Sequence, residues 1–234
     1  MKRWTNLAAA TLASATLLSS AVSAEPVVWA IQAEQLEYRV GEGSDIYAWD
    51  AGGFVGKDEL RLVWRSEAEY AVDTDDFETL ENQFRLQTPI SDFFDAVAGV
   101  RFDTPQGPDR VHGVLGFHGL APQWFEVDLD LFLSEYPTLR FEVEYEALIT
   151  NRLILTPSFE IDIPLNDDRE TGQGGFGPTV EIGARLSYDL IDRAVSPYIG
   201  VHWERSFGET ATLARAEGEE ASSVYIVAGL RLLF

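Results

Sequence analysis

The sequence predicts an all-β chain closed into one antiparallel transmembrane barrel of about twelve strands. Three observations predict it. Apolar and polar residues alternate with period two along most of the chain, as they do when successive side chains point to opposite faces of a strand. The connections between these segments switch regularly between terse and longer, more polar text, as short periplasmic turns and longer extracellular loops do in outer-membrane barrels. The chain ends on an aromatic, Phe234, with Leu232, Leu230, Ala228 and Ile226 at alternate positions behind it. That pattern is expected of a terminal strand read by the outer-membrane assembly machinery.

Composition fits this class and excludes others. The 234 residues suffice for one large β domain, and 46% hydrophobic content is that of a folded protein. Lys and Arg number 17 against 39 Asp and Glu, a net charge of −22, which argues against nucleic acid as a partner. There is no Cys, so disulfides, thiolate catalysis and cysteine metal sites are excluded. Residues 1–24 read as a secretory signal. Lys2 and Arg3 form the basic start, Leu7 to Leu18 the mildly apolar run, and Val22-Ser23-Ala24 the small residues before a cut. Cleavage removes Lys2 and Arg3 and takes the net charge from −22 to −24. It leaves 25–234 as a single barrel domain without Met.

Taken in order, the strands are "AEQLEYRV" (33–40), "IYAWDAGGFV" (46–55) and "ELRLVWRSEAEY" (59–70), then the weaker "FETLENQFRLQ" (77–87) and "FFDAVAGVRFD" (93–103). "HGVLGFHGLAPQWFEVDLDLFL" (112–133) supplies two strands, and "LRFEVEYEALI" (139–149) the next. "LILTPSFEIDI" (153–163), "VEIGARLSYDL" (180–190), "YIGVHWERSF" (198–207) and "VYIVAGLRLLF" (224–234) complete the set, with no convincing amphipathic helix. The odd-numbered connections include "AVDTDD", "SEYPT", "PLNDDRETGQGGFGP" and "GETATLARAEGEEAS". The even-numbered ones are mostly terse, such as "GKD" and "TN", with "IDRAVSP" the exception. An even strand count returns both termini to the periplasm. The rival architecture is a soluble antiparallel domain with one wet face.

On 125–133, Phe125, Val127, Leu129, Leu131 and Leu133 take one face, while Glu126, Asp128 and Asp130 take the other. In a barrel the apolar face meets lipid and the acids look into the lumen. If "SEYPT" closes a hairpin, Asp130 lies opposite Glu142, Asp128 opposite Glu144, and Glu126 opposite Glu146. Like charges directly opposite are destabilising, so this ladder needs compensation. Arginines are one source, with Arg101, Arg140, Arg152 and Arg185 of suitable parity or nearby; bound cations are the other. The three histidines, His112, His118 and His202, are all expected to face the lumen. His112 and His118 are six residues apart on one strand, or roughly 20 Å, too far to share an ion. No G-x-S-x-G, H-E-x-x-H or P-loop sequence is present, and nothing argues for an enzyme.

Several blocks are longer and more distinctive. In chain order they are "IQAEQLEYRV" (31–40), "AWDAGGFVG" (48–56), "GLAPQWFEVDLDLFLS" (119–134), "RLILTPSFE" (152–160), "SPYIGVHWERSFGETATLAR" (196–215) and "VAGLRLLF" (227–234). From about Ile31 to Phe234 the chain resembles the copper resistance protein B family of Gram-negative outer membranes. The resemblance implies an outer-membrane barrel, exported through a cleaved signal peptide, that binds copper ions and serves copper tolerance. It also implies periplasmic copper-handling proteins as partners. Members of this family often carry a Met- and His-rich segment before the barrel; here 1–24 runs almost directly into the first strand. Cu(I) prefers thiolates and thioethers, whereas imidazole and carboxylate suit Cu(II), which leaves His112, His118 and His202 with the lumen acids as candidate ligands. The alternative is a general pore or structural barrel whose acidic lumen favours cations without binding copper specifically.

Overall fold

The computed structural model describes residues 26–41, 44–104, 108–191 and 193–234. The expected signal segment, 1–24, lies outside the described residues. The strands are β1 (Val28–Gly41), β2 (Ile46–Lys57), β3 (Leu60–Ala71), β4 (Asp76–Pro89), β5 (Phe94–Asp103), β6 (Arg110–Ala121) and β7 (Phe125–Leu133). They continue as β8 (Thr138–Glu144), β9 (Ala147–Leu148), β10 (Leu153–Pro164), β11 (Thr179–Tyr188), β12 (Val195–Ser206) and β13 (Ser222–Leu233). Each pairs antiparallel with its neighbour, and β13 returns to β1. β8 and β9 both pair with β10 and are two pieces of one stave, so the closed barrel has twelve staves. At the seam, Ile31 and Phe234 exchange two backbone hydrogen bonds of 2.9 Å. Closure leaves no edge, the condition for crossing a bilayer with strands.

The side chains sort by parity as the sequence predicts. Leu62, Trp64, Phe84, Leu86, Leu115, Phe117, Ile199 and Ile226 all point outward and are exposed. A soluble domain does not present a continuous apolar belt of this kind. Inside, the buried set is largely polar: Glu37, Arg39, Glu81, Arg85, Asp128, Asp130, Arg140 and Arg185. Phe132 is an inward apolar exception. It is fully buried with Val97 and Val114, and the guanidiniums of Arg101 and Arg140 lie 4.3 and 5.4 Å from its ring centre.

Two expectations are corrected. The hairpin connection sits one residue earlier than the sequence reading has it, at 133–137 rather than 134–138, because Thr138 joins the strand opposite Phe132. The register therefore shifts by two residues. Glu126 lies opposite Glu144, Asp128 opposite Glu142, and Asp130 opposite Arg140 rather than an acid. Glu146 leaves the ladder at the break between β8 and β9 and binds Arg231 and Arg193 at 2.6 and 2.9 Å. The second correction is a helix, α1 (Gly208–Glu217), in the last long loop. Its Ala, Leu, Arg and Glu residues favour helix, and Gly218, at φ 90°, ends it in the left-handed conformation that Gly adopts without cost. Only Thr210 and Ala211 are buried, so no apolar stripe marks the helix in the sequence.

Thr210 ties α1 to the β10–β11 loop, donating to Gly177 O at 2.6 Å and accepting from Gly174 N at 3.0 Å. Arg110, at the loop end of β6, reaches across the mouth to Asp168 at 3.0 Å and Glu170 at 2.9 Å. Loop and helix together form a shelf over the long-loop mouth.

Candidate functional site in the barrel lumen

A lumen cavity of about 1130 Å³ runs from Ala30, Gln32 and Phe54, on the short-turn side, to Glu219 and Glu220 at the long-loop mouth. Its walls are built by the inward parity of every stave, which is why acids and arginines in the sequence recur at every second position. Arg140 is the hub. Its guanidinium lies 2.9 Å from Glu67, 3.1 Å from Asp162, 3.2 Å from Glu160 and 3.4 Å from Glu81. Arg65 binds Glu142 and Glu67 at 3.1 Å each and stands 3.6 Å from Asp128. Arg85 binds Asp130 at 2.7 Å, and Arg101 binds Glu81 at 2.8 Å and Asp103 at 2.7 Å. A second group lies near the β13–β1 seam. There Glu37 takes hydrogen bonds from Arg185, Arg39 and the Tyr198 hydroxyl, and Arg39 also binds Glu69.

This answers the question of compensation in part. Asp128, Asp130, Glu142 and Glu146 have arginine partners. Of the arginines expected for this role only Arg140 touches the ladder. Arg101 turns to Glu81 and Asp103, and Arg185 to Glu37. Arg152 sits at the β9–β10 turn, where its backbone N–H bonds Thr150. Arg65, Arg85, Arg193 and Arg231 do the rest. Register decides these partners, and parity alone does not carry register. Among the described residues neither Glu126 nor Glu144 contacts an arginine, although the two lie directly opposite each other.

All three histidines line the lumen, as expected, but in three places. His112 Nε2 lies 3.2 Å from Asp103, and His118 Nδ1 lies 3.1 Å from Asp128. His118 Nε2 stands 3.9 Å from Glu126. His202 is on β12, away from both, with Nε2 3.4 Å from Glu181. His112 and His202 are buried, and neither ring makes a hydrogen bond. Among the described residues no three His, Asp or Glu side chains are gathered to enclose an ion. The lumen thus offers imidazole and carboxylate in pairs, a donor set of the kind Cu(II) accepts but not a preformed cage.

An antiparallel barrel closed without an edge, apolar outside and charged inside, is an outer-membrane-type β-barrel. A solved NanC porin shares this fold, with a TM-score of 0.56 at 12% identity over 88% of this chain and 99% of that one. The sequence profile of copper resistance protein B precursor (CopB) matches residues 27–234. Copper resistance protein B of Escherichia coli is 34% identical over 93% of this chain and 73% of its own length. A copper resistance protein B homolog of Pseudomonas syringae pv. tomato is 34% identical over 86% of this chain and 68% of its own. The chain belongs to the copper resistance protein B family.

Proposed function

We propose that this protein is a Gram-negative outer-membrane barrel, exported through a signal peptide cleaved after Ala24, that supports copper resistance by binding copper ions in its lumen. Family membership over nearly the whole barrel is the observation that carries this reading. The donor chemistry agrees with it for Cu(II). The described lumen offers His112 with Asp103, His118 with Asp128, and His202 with Glu181, and the chain has no thiol and no Met beyond position 1. Copper is cargo in this reading and engages these pairs one after another or through small rotations. Its partners are outer-membrane lipid, the assembly machinery and periplasmic copper-handling proteins.

A second reading, a cation-favouring pore without copper specificity, is favoured by the lack of three gathered donors among the described residues. A deletion strain challenged with copper, and the refolded barrel titrated calorimetrically with Cu(II), separate the two. Copper sensitivity restored by the wild-type gene, with saturable Cu(II) binding, supports the first. Wild-type tolerance in the deletion strain, or no Cu(II) heat beyond that of a control barrel, overturns it.

A further inference from the structure

The strand registers place one ionisable side chain on each of seven neighbouring staves in a single cross-strand row. Asp95 pairs with His118, His118 with Asp128, Asp128 with Glu142, Glu142 with Glu160, Glu160 with Glu181, and Glu181 with Glu204. The row carries six carboxylates, one imidazole and no arginine or lysine of its own. Because barrel strands tilt, a row at right angles to them climbs. Asp95 lies one residue inside the short-turn end of β5, and Glu142 is mid-stave. Glu181 and Glu204 each lie two residues inside the long-loop ends of β11 and β12. Six strand spacings of about 4.8 Å, tilted by about 40°, rise by roughly 18 Å, most of the height of the ~25 Å apolar band. From His118 to Glu204 every member lines the lumen cavity.

Structural economy does not explain the upper steps. Arg65 and Arg140 reach Glu142 and Glu160, but among the described residues no arginine is in ion-pair contact with Glu181 or Glu204. Beside them His202, 4% exposed, points Nε2 at the Glu181 carboxylate from 3.4 Å, and neither of its ring nitrogens makes a hydrogen bond. A buried imidazole without a hydrogen bond next to two facing carboxylates is a position prepared for a cation. The absence, among the described residues, of any three-donor cage suits passage better than storage, since conduction needs sites strong enough to enter and weak enough to leave.

We propose that this row is the route by which small hydrated cations cross the barrel, and that Glu181 and Glu204, beside His202, form its receiving step at the long-loop mouth. The proposal deepens the pore reading and does not depend on copper recognition, so its test uses potassium and chloride alone. The folded barrel is placed in a planar bilayer under a KCl gradient, and the reversal potential gives the K⁺/Cl⁻ permeability ratio. The wild type is expected to conduct and to prefer K⁺. The double variant Glu181→Gln/Glu204→Gln, which relieves the repulsion between the facing acids and keeps a polar amide beside His202, is expected to fold and to lose that preference several-fold. Glu204→Gln alone, read the same way, is the second variant and is expected to lose part of it. The control pair Asp73→Asn/Glu135→Gln removes the same charge from exposed loop positions and is expected to keep the wild-type ratio. A folded wild type without channel current, a wild type without cation preference, or an equal loss in the control pair would each overturn the proposal.

Discussion

Asp130, with no exposed surface, accepts a hydrogen bond from Arg85 Nη2 at 2.7 Å, and Arg85 is itself 3% exposed. The pair joins β7 to β4 across the lumen, three strand positions apart around the wall. Gly116 makes room for it. Gly116 lies opposite Asp130, and a Cβ there would come within 2.6 Å of Leu129 O and press on the carboxylate. Removing one partner of a buried charge pair leaves the other uncompensated, at a cost of about 3 kcal/mol. Asp130→Asn is therefore expected to lower the unfolding free energy of the refolded barrel by about that much. Asp130→Leu/Arg85→Met, which removes both charges, is expected to recover most of it. Urea unfolding followed by tryptophan fluorescence measures both, and equal losses in the single and double variants would deny that the pair acts as a unit.

The seam makes a second prediction. Phe234 contributes two backbone hydrogen bonds to Ile31 and closes the sheet on itself. Deleting it leaves the Ile31 N–H and C=O without these partners at the seam, where an open strand edge is costly in a membrane. The folded, heat-modifiable species is expected to fall in outer-membrane fractions while total exported protein is unchanged. Full recovery of the folded band after deletion would make the terminal aromatic incidental.

The shelf over the long-loop mouth depends on Arg110. Its guanidinium holds Asp168 and Glu170 of the β10–β11 loop and lies 4.4 Å from the ring centre of Tyr136. The Asp168 side chain is 4% exposed, whereas that of Glu170 is 66% exposed, so Asp168 carries most of the hold. Arg110→Gln is expected to loosen the shelf and raise its open fraction several-fold. Trypsin cleavage after Arg169 should quicken by that factor with global unfolding unchanged. An unchanged cleavage rate would place the hold elsewhere, with Thr210 the next residue to test.

Faces were legible in the sequence because parity is local. Phe125 to Leu133 announces its lipid and lumen sides without reference to any other strand, and the same holds for Leu60 to Ala71. Partners were not legible, because they follow from register, and register follows from turn geometry. A one-residue displacement of the turn, with Thr138 opposite Phe132, moves Arg140 opposite Asp130 and sends Asp128 to Glu142. The cross-strand row from Asp95 to Glu204 needs six such registers at once. The bulge between Ala33 and Gln35 is a further case. It resets the parity of β1 and turns Glu37 and Arg39 inward; its mark in the sequence, the switch of outward apolar residues from Trp29 and Ile31 to Leu36 and Val40, begins before the stretch read as the strand at 33–40.

The corrected register also separates two acids that the sequence treats alike. Asp128 stands beside Arg65 at 3.6 Å, Arg85 at 3.9 Å and His118 at 3.1 Å. Glu144 faces Glu126 directly and contacts no arginine among the described residues. Replacing each with its amide keeps size and hydrogen-bonding capacity while removing one negative charge. Asp128→Asn weakens hydrogen bonds to charged groups and is expected to cost about 1.5 kcal/mol. Glu144→Gln relieves a like-charge pair and is expected to gain about 0.5 kcal/mol. Urea unfolding in the presence of a chelator reads the two without metal, and opposite signs are the expected result. Equal destabilisation by both would mean that Glu144 has a favourable partner and that its environment is as cationic as that of Asp128. Calorimetric titration of the same variants with Cu(II) reads the second property. If the lumen acids engage copper, Glu144→Gln should bind it more weakly while folding more stably, since a borderline cation prefers carboxylate to amide. Cu(II) binding unchanged in both variants would remove these two positions from copper handling and leave His112, His118 and His202 to be tested singly.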